Sequence, residues 1–547
     1  MNHKLLTIPM TAVLLPAGVA MAQKKAEKVN IVHIMSDDHS YQTISAYGGP
    51  VSKLAPTPNI DRLAARGILF TRAYVENSIS SPSRATLLTG KYSHMHGQIK
   101  LGRTPAFDAE QMTFPKLLQQ AGYQTAVIGK WHLWSIPQGF DYYKILNGQG
   151  TYYNPEFSTK EHPEFVREEG YVANIVTNDA INWLEHRDRE KPFCLFVHHK
   201  SVHRNWFPEL KYARLYEDVT FPEPETFFDD YSTRCDAARM QQMTIEHEMK
   251  MVDDCKVYEL LENKQAKNNF NAEFLRMSPG EQERFMEIYG PLNEEMLAAG
   301  LKGEDLVRWK YQRYIKDYVR CVKSLDDEIG CLLDYLDENG LSENTIVVYT
   351  SDQGFYMGEH NWFDKRFMYE ESFRTPLVVS YPKQIAPGTV CDELVQNIDY
   401  APTYLALAGV EVPAEMCGVP LTPLFEMGKA PADWRDELYY HYYDYPSIHN
   451  VRRHDGIMTR DYKLIHFKDQ GGGNRGKDLP IDSWELYDLK ADPTEVNNVY
   501  DNPRYAEVVA DLKKRLVNKR TELKIEESES RFDLEAWKRK DTKNNNK

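Results

Sequence analysis

Val29-Asn30-Ile31-Val32-His33-Ile34-Met35 runs straight into Ser36-Asp37-Asp38-His39. An apolar run without polar alternation is the pattern of a strand buried on both faces, as in a parallel sheet covered by helices. The form recurs three times. Thr125 to Ile128 leads into Gly129-Lys130-Trp131-His132, Phe193 to Val197 into His198-His199-Lys200 and then His203, and Thr345 to Tyr349 into Ser351-Asp352-Gln353-Gly354.

Helix patterns lie between the runs. Thr57-Pro58 opens one that Gly67 closes, and Ile315, Tyr318, Val319, Val322, Leu325, Ile329, Leu332, Leu333 and Leu336 keep three-and-four spacing up to Gly340. Strands alternating with helices predict an α/β fold: a large, mostly parallel sheet sandwiched by helices. Such sheets bind ligands beyond the carboxyl ends of their strands, which would gather Asp37, Asp38, Lys130, His132, His203 and Asp352 at one edge. We expect this α/β domain over residues 27–400, with the polar stretch 208–306 as a largely helical insertion. Residues 430–520, with Lys463-Leu464-Ile465-His466-Phe467 and a strand at Glu485, are expected to add a smaller antiparallel sheet packed by a C-terminal helix, and 538–547 form a polar tail.

At 547 residues and 42% hydrophobic content the chain can bury a large core. Its formal charge of −15 gives no sign of a nucleic-acid surface, and an anionic substrate would need local positive charge at its site. Lys4, the apolar stretch Leu5 to Val19 and the small-residue pattern Ala20-Met21-Ala22 read as a bacterial export signal over residues 1–22, cleaved after Ala22. The stretch contains Pro9 and Pro16 and falls short of the ~20 apolar residues that span a bilayer, so stable membrane insertion is not expected. A periplasmic or secreted protein follows from that reading. Seven cysteines without CxxC spacing speak against zinc; Cys194 reads as a buried small hydrophobe, and one disulfide elsewhere is allowed.

Asp37, Asp38 and Asp352, with Gln353, offer three carboxylates and an amide oxygen, a donor set for calcium, with magnesium as the alternative. Any one of these aspartates alone would read as a helix cap; two strands ending in the same Ser-Asp-polar pattern favour a metal site. Ser80-Ser81-Pro82-Ser83-Arg84-Ala85-Thr86-Leu87-Leu88-Thr89-Gly90 reads as a helix capped by Ser80, with Pro82 in its first turn.

That segment resembles the signature of type I sulfatases, members of the alkaline phosphatase superfamily. Gly122-Tyr123-Gln124-Thr125-Ala126-Val127-Ile128-Gly129-Lys130-Trp131-His132 is similar to their second signature, and further likeness runs through Gly358-Glu359-His360, Tyr369-Glu370-Glu371-Ser372 and Glu485-Leu486-Tyr487-Asp488-Leu489. The resemblance covers nearly the whole mature chain. It implies that Ser80 is converted to formylglycine by a radical maturase, and that Asp37, Asp38, Asp352, Gln353 and the modified residue 80 hold the metal. Gln353 departs from the family, where Asn or His is commoner. Arg84, Lys130 and His132 would surround the formylglycine; His203 and Lys365 would contact sulfate, with protonated His203 donating to the departing alcohol and His132 taking a proton from the second hydroxyl. By analogy with bacterial carbohydrate sulfatases, Asp364, Arg366 and His454 are the substrate-contact candidates, a surface salt-bridge network being the alternative. A sulfated saccharide is the implied substrate, first a 6-sulfated hexosamine from glycosaminoglycan or mucin as in N-acetylglucosamine-6-sulfatases, with galactose and N-acetylgalactosamine sulfates open. Two other functions stay open: a phosphate or phosphonate monoester hydrolase of the same superfamily, and a glycan-binding protein without turnover if Ser80 is not converted.

Overall fold

The computed structural model describes residues 28–526, apart from 104–105, 261–262 and 427. The expected signal segment 1–22 and polar tail 538–547 lie outside the described residues. In chain order the strands are β1 (Asn30–Ser36), β2 (Ile68–Phe70), β3 (Ala73–Tyr74), β4 (Gln124–Gly129), β5 (Tyr142–Leu146), β6 (Glu156–Thr159), β7 (Val166–Arg167) and β8 (Phe193–His198). They continue with β9 (Thr345–Ser351), β10 (Leu377–Ser380), β11 (Thr389–Cys391), β12 (Val395–Gln396), β13 (Glu437–Tyr442), β14 (His454–Thr459), β15 (Tyr462–Asp469) and β16 (Ile481–Asp488).

Ten strands form one sheet in the order β11-β2-β10-β9-β1-β8-β4-β5-β6-β7. The four apolar runs are its centre, β9-β1-β8-β4, and every pairing among them is parallel. Their register levels the strand ends: Met35 faces Thr350 on one side and His198 on the other, and Gly129 also faces His198. Antiparallel neighbours β10 and β6 bound the parallel block.

Both faces of the centre are covered, which is why the runs do not alternate. Along β1, Val32 and Ile34 share a core with Ile60, Leu63, Val176 and Tyr318, on the helices Pro58–Ala65, Val172–His186 and Gly303–Glu338. Ile31 and Met35 share the other with Leu88, Phe114, Leu118 and Leu405, on the helices Ser80–Thr89, Phe114–Gln120 and Tyr400–Leu407. Each such large apolar side chain gains roughly 1.5–3 kcal/mol on burial, so neither face of these strands tolerates a polar residue at little cost.

The segment 208–306 is not helical throughout. Helices occupy Lys264–Phe274 and Pro279–Ala299, but the described residues from Pro208 to Asn263 hold only the short turns of helix Leu210–Tyr212 and Asp236–Met240. Its backbone carbonyls are paired instead by side chains of the long helix Gly303–Glu338. Lys310 donates to the carbonyls of Ile245, Glu246 and Met249, Lys316 to Glu217, and Arg320 to Leu215. Charged side chains of that helix thus stand in for a hydrogen-bond ladder at these carbonyls.

The expected small antiparallel sheet is formed by the four strands β13 to β16. One face takes Leu512 and Leu516 of the helix Ala506–Glu522; the other packs Tyr440, Met458, Ile465 and Phe467 against Trp362, Phe367 and Tyr369. This second contact presses the small sheet onto the loop carrying Asp364-Lys365-Arg366. All seven cysteines are free thiols. Among the described residues no helix is long and apolar enough to cross a membrane.

Candidate active site

The sheet's carboxyl edge brings the separated motifs together. Gly129 ends β4 at φ 101°, and a Cβ there would lie 2.0 Å from the carbonyl oxygen of His198. Only glycine permits this crossing, after which Lys130 reaches Asp37 Oδ2 with its ammonium group. Asp38 stands in the left-handed region at φ 61°, a conformation that costs of order 1–3 kcal/mol. It is held there by the Tyr318 hydroxyl, which donates to its carbonyl at 2.7 Å, and by Asp352 Oδ1, which accepts its backbone N–H at 3.1 Å.

Ile79, not Ser80, caps the helix Ser80–Thr89; Ser80 is its first residue and is buried. The reason is that its side chain is used elsewhere: Ser80 Oγ donates to Asp37 Oδ1 at 3.3 Å. Arg84, one turn on and therefore on the same face, donates from Nε and Nη2 to Asp352 Oδ2 at 3.1 and 3.0 Å and from Nη1 to the Lys130 carbonyl at 2.8 Å. Ser81 Oγ ties the same helix to the carbonyl of His132 at 2.8 Å. From the opposite side, Lys365 Nζ lies 2.6 Å from Asp38 Oδ2, and Gln353 Nε2 contacts Asp38 Oδ1 and, at 3.4 Å, Ser80 Oγ.

Three buried carboxylates meet three buried cations here. Burial works against the Asp37 carboxylate, but Lys130, Arg84 and Lys365 outweigh it and hold its pKa below the usual range. For Asp38 the balance reverses: burial, reinforced by Asp37, Asp352 and Asp364, exceeds the help from Lys365 and pushes it up to about 7. Burial draws Lys130 down to about 8. Gln353 Oε1 is buried without a partner, and a half-turn of the amide exchanges that oxygen with the nitrogen now facing Asp38. Carboxylates, an amide oxygen and the Ser80 oxygen are the donors a hard divalent cation requires. The residues present therefore fit such an ion. With one bound, the pocket would be net positive, as recognition of an anionic ester by an acidic protein demands.

Asp37, Asp38 and His203 offer ligand atoms that all lie within 4.8 Å of one another. Asp352 turns its oxygens to Arg84 and to the Asp38 N–H instead. His203 Nε2 is 3.7 Å from Asp38 Oδ2, and its side chain, 17% exposed, is the most open of the cluster. Burial and the charges of Lys130, Lys365 and Lys200 hold the His203 pKa well below its ordinary value. The protonated donor expected from sequence is therefore not its resting form. His132 is likewise kept neutral, by burial and then by Lys130 and Arg84.

The three substrate-contact candidates divide. Asp364 and Arg366 flank Lys365 in left-handed conformations, φ 84° and 93°, and pair with each other at 3.0 Å. Arg366 Nη1 is buried without a partner. His454 does not offer a free donor or acceptor: Nδ1 contacts the Arg452 carbonyl at 2.7 Å and Nε2 accepts the Met368 N–H at 3.1 Å. It braces the loop after Lys365 against β14. Strand alternation placed its ring in the core, a position that the motif reading in sequence did not weigh.

Sequence reasoning missed two residues. His449 Nε2 stands 3.3 Å from Asp364 Oδ2, and no motif marks it. Asp254 accepts from Arg204 Nε and Nη2 at 2.6 and 2.7 Å, which fixes the backbone next to His203. Asp254→Ala leaves the Arg204 guanidinium unpaired, and we expect a loss of about 3 kcal/mol of unfolding free energy, read by denaturant titration. It should also lower kcat more than it raises KM.

The candidate site at the carboxyl edge of this sheet, a serine in a helix's first turn beside oxygen-rich side chains that fit a cation, is the arrangement expected of an ester hydrolase of the alkaline phosphatase fold class. The chain belongs to the sulfatase family: the profile described as Sulfatase matches residues 29–410, and that of the N-sulphoglucosamine sulphohydrolase C-terminal region matches 358–522. An N-acetylglucosamine-6-O-sulfatase of Bacteroides thetaiotaomicron is 46% identical over 518 residues, 93% of this chain and 89% of that protein. The N-acetylglucosamine-6-sulfatase of Homo sapiens is 25% identical over 449 residues, 78% of this chain and 68% of the human protein. A structure solved in complex with its substrate D-glucosamine-2-N,6-O-disulfate superposes with a TM-score of 0.85 at 46% identity, covering 91% of this chain and 98% of that one. A phosphonate monoester hydrolase from Silicibacter pomeroyi shares the fold, with a TM-score of 0.64 at 17% identity over 90% of this chain and 96% of that one.

Proposed function

We propose that this protein is an exported carbohydrate sulfatase that removes the 6-O-sulfate from N-substituted glucosamine in glycosaminoglycan or mucin-type glycans. The observation that carries this reading is the placement of Ser80 within hydrogen-bond reach of Asp37, with Arg84, Lys130 and Lys365 around it. The 46% identical relative named for N-acetylglucosamine-6-O-sulfatase activity supports the choice of sugar. We read residues 27–400 as the catalytic unit and 430–520 as the unit that buttresses the Lys365 loop. The signal reading of residues 1–22 supports the periplasm or the medium as its location.

Asp37, Asp38, Asp352 and Gln353 would hold calcium with residue 80. When bound, the ion supplies Lewis-acid polarisation of a sulfate oxygen and favours the ionised form of the attacking hydroxyl. Conversion of Ser80 to formylglycine by a maturase would supply an aldehyde, which adds water to give a geminal diol: one hydroxyl attacks sulfur as the sugar oxygen departs, and the other lets the adduct expel sulfate and return to the aldehyde. Around it, Arg84 and Lys130 orient Asp352 and Asp37 and add positive charge beside the nucleophile. Lys365 faces the charge that develops on sulfate oxygens. Neutral His132 is in the correct form to accept a proton. His203, on the open side, is the group placed to hand one to the leaving sugar oxygen; because its resting form is neutral, it must take up that proton as the anionic substrate enters.

The test is release of inorganic sulfate from a panel of 6-, 4-, 3- and 2-O-sulfated hexosamines and hexoses by protein co-expressed with a maturase. Sulfate from the 6-O-sulfated glucosamines, absent after calcium chelation, is the expected result. Release of phosphate from the matching phosphate esters without release of sulfate would defeat the proposal in favour of the phosphohydrolase reading.

A further inference from the structure

A cleft beyond the carboxyl ends of β4 and β5 shares only His132 with the chemistry above. It encloses about 370 Å³, within the roughly 300–1,000 Å³ of small-ligand sites. His132 is one of its walls, so it begins where the catalytic cluster ends. Trp134 stands edge-on to His132, ring centroids 5.3 Å apart. Phe165 and Ile136, 44% and 64% exposed, form the rim. Large apolar side chains left in water beside a catalytic group mark a binding surface. Above them the Arg103 guanidinium stacks on the Trp134 ring at 4.8 Å, and it makes no ion pair among the described residues.

These groups ask for one kind of occupant. Aromatic faces take the C–H face of a pyranose ring, and an unpaired guanidinium takes a carboxylate or sulfate. A free inorganic anion would leave the aromatic walls unused, and a neutral apolar ligand would leave Arg103 unused. We propose that this cleft is a second saccharide subsite, which receives the sugar joined to the sulfated residue and favours a neighbour that carries an anionic group. The inference rests on the sulfatase reading of the adjoining cluster.

The test uses the full chain with Ser80→Ala, which binds without turnover, in calorimetric titrations. The probes are 6-O-sulfated glucosamine alone, and the same sugar joined in either linkage direction to a neutral hexose, to a hexuronic acid, or to a sulfated hexose. At least one anionic disaccharide should bind about tenfold more tightly than the monosaccharide, and more tightly than its neutral counterpart. Adding Arg103→Ala or Phe165→Ala should bring the ratio to within about threefold of unity; both residues are exposed, so neither change threatens folding. Equal affinities for all probes, a ratio that survives both substitutions, or no saccharide binding would overturn the proposal. Turnover by the matured Ser80 protein is followed in parallel. A persistent affinity ratio without sulfate release would sink the sulfatase reading and leave the subsite standing.

Discussion

Ser80→Ala is expected to lower sulfate release by at least about 10⁴-fold. The alanine removes both the Oγ that faces Asp37 and the carbon that maturation would oxidise. What stays is a positive pocket that binds the ester, so KM should change far less than kcat. Stability should hold as well: the side chain makes one 3.3 Å hydrogen bond to Asp37 and accepts a long one from Gln353, and replacing it leaves the Arg84 and Lys130 pairs intact. Steady-state sulfate release and thermal unfolding, run side by side on protein co-expressed with a maturase, separate these effects. A substitution at the nucleophile that kept even a tenth of the activity would mean that another group attacks sulfur. Peptide mass spectrometry of the unsubstituted protein gives the complementary result, the loss of two hydrogens at residue 80.

Lys365→Ala is the second large effect, about 10³-fold on kcat/KM. Lys365 is buried against Asp38, whose carboxyl is already pushed up to about 7 by burial and its acidic neighbours. Removing the ammonium takes away charge that would face a sulfate oxygen and leaves Asp38 without its cationic partner. The two consequences differ in what they predict. Loss of transition-state charge lowers kcat at saturating calcium, whereas a purely structural role would show as weaker folding with kcat retained. Lys365→Met keeps the packing of the side chain and should lose activity as fully as the alanine. Activity in the methionine variant within about tenfold of the parent would assign Lys365 to structure alone.

The candidate site residues were legible because each follows an apolar run or stands in a motif. Asp37, Asp38, Lys130 and Asp352 leave strands of the one parallel block β9-β1-β8-β4, whose ends the register aligns, so their separation in sequence disappears at the sheet edge. Positions that act through backbone geometry were not legible. Tyr318 read as one of many apolar residues at helical spacing, and its hydroxyl holds Asp38 in the left-handed region. His454 was a substrate-contact candidate by analogy with bacterial carbohydrate sulfatases; in the fold both of its nitrogens serve the backbone. The stretch before Lys264 read as helical because it is charged; its carbonyls turned out to be satisfied from the long helix instead.

By itself the sequence determined which strands are buried on both faces, hence an α/β sheet with its polar residues at one edge, and the residue types assembled there. Periodicity and unbroken apolar runs are local properties that a chain displays without folding. Only the tertiary structure decided which of those polar groups face one another. Lys365 meets Asp38, His203 joins the same carboxylates, Asp254 secures the neighbouring arginine, and Arg103 stacks over Trp134 beside a cleft with no ion pair among the described residues. Pairing between charges depends on distances of a few ångströms across elements far apart in the chain, and spacing along the chain carries no record of those distances.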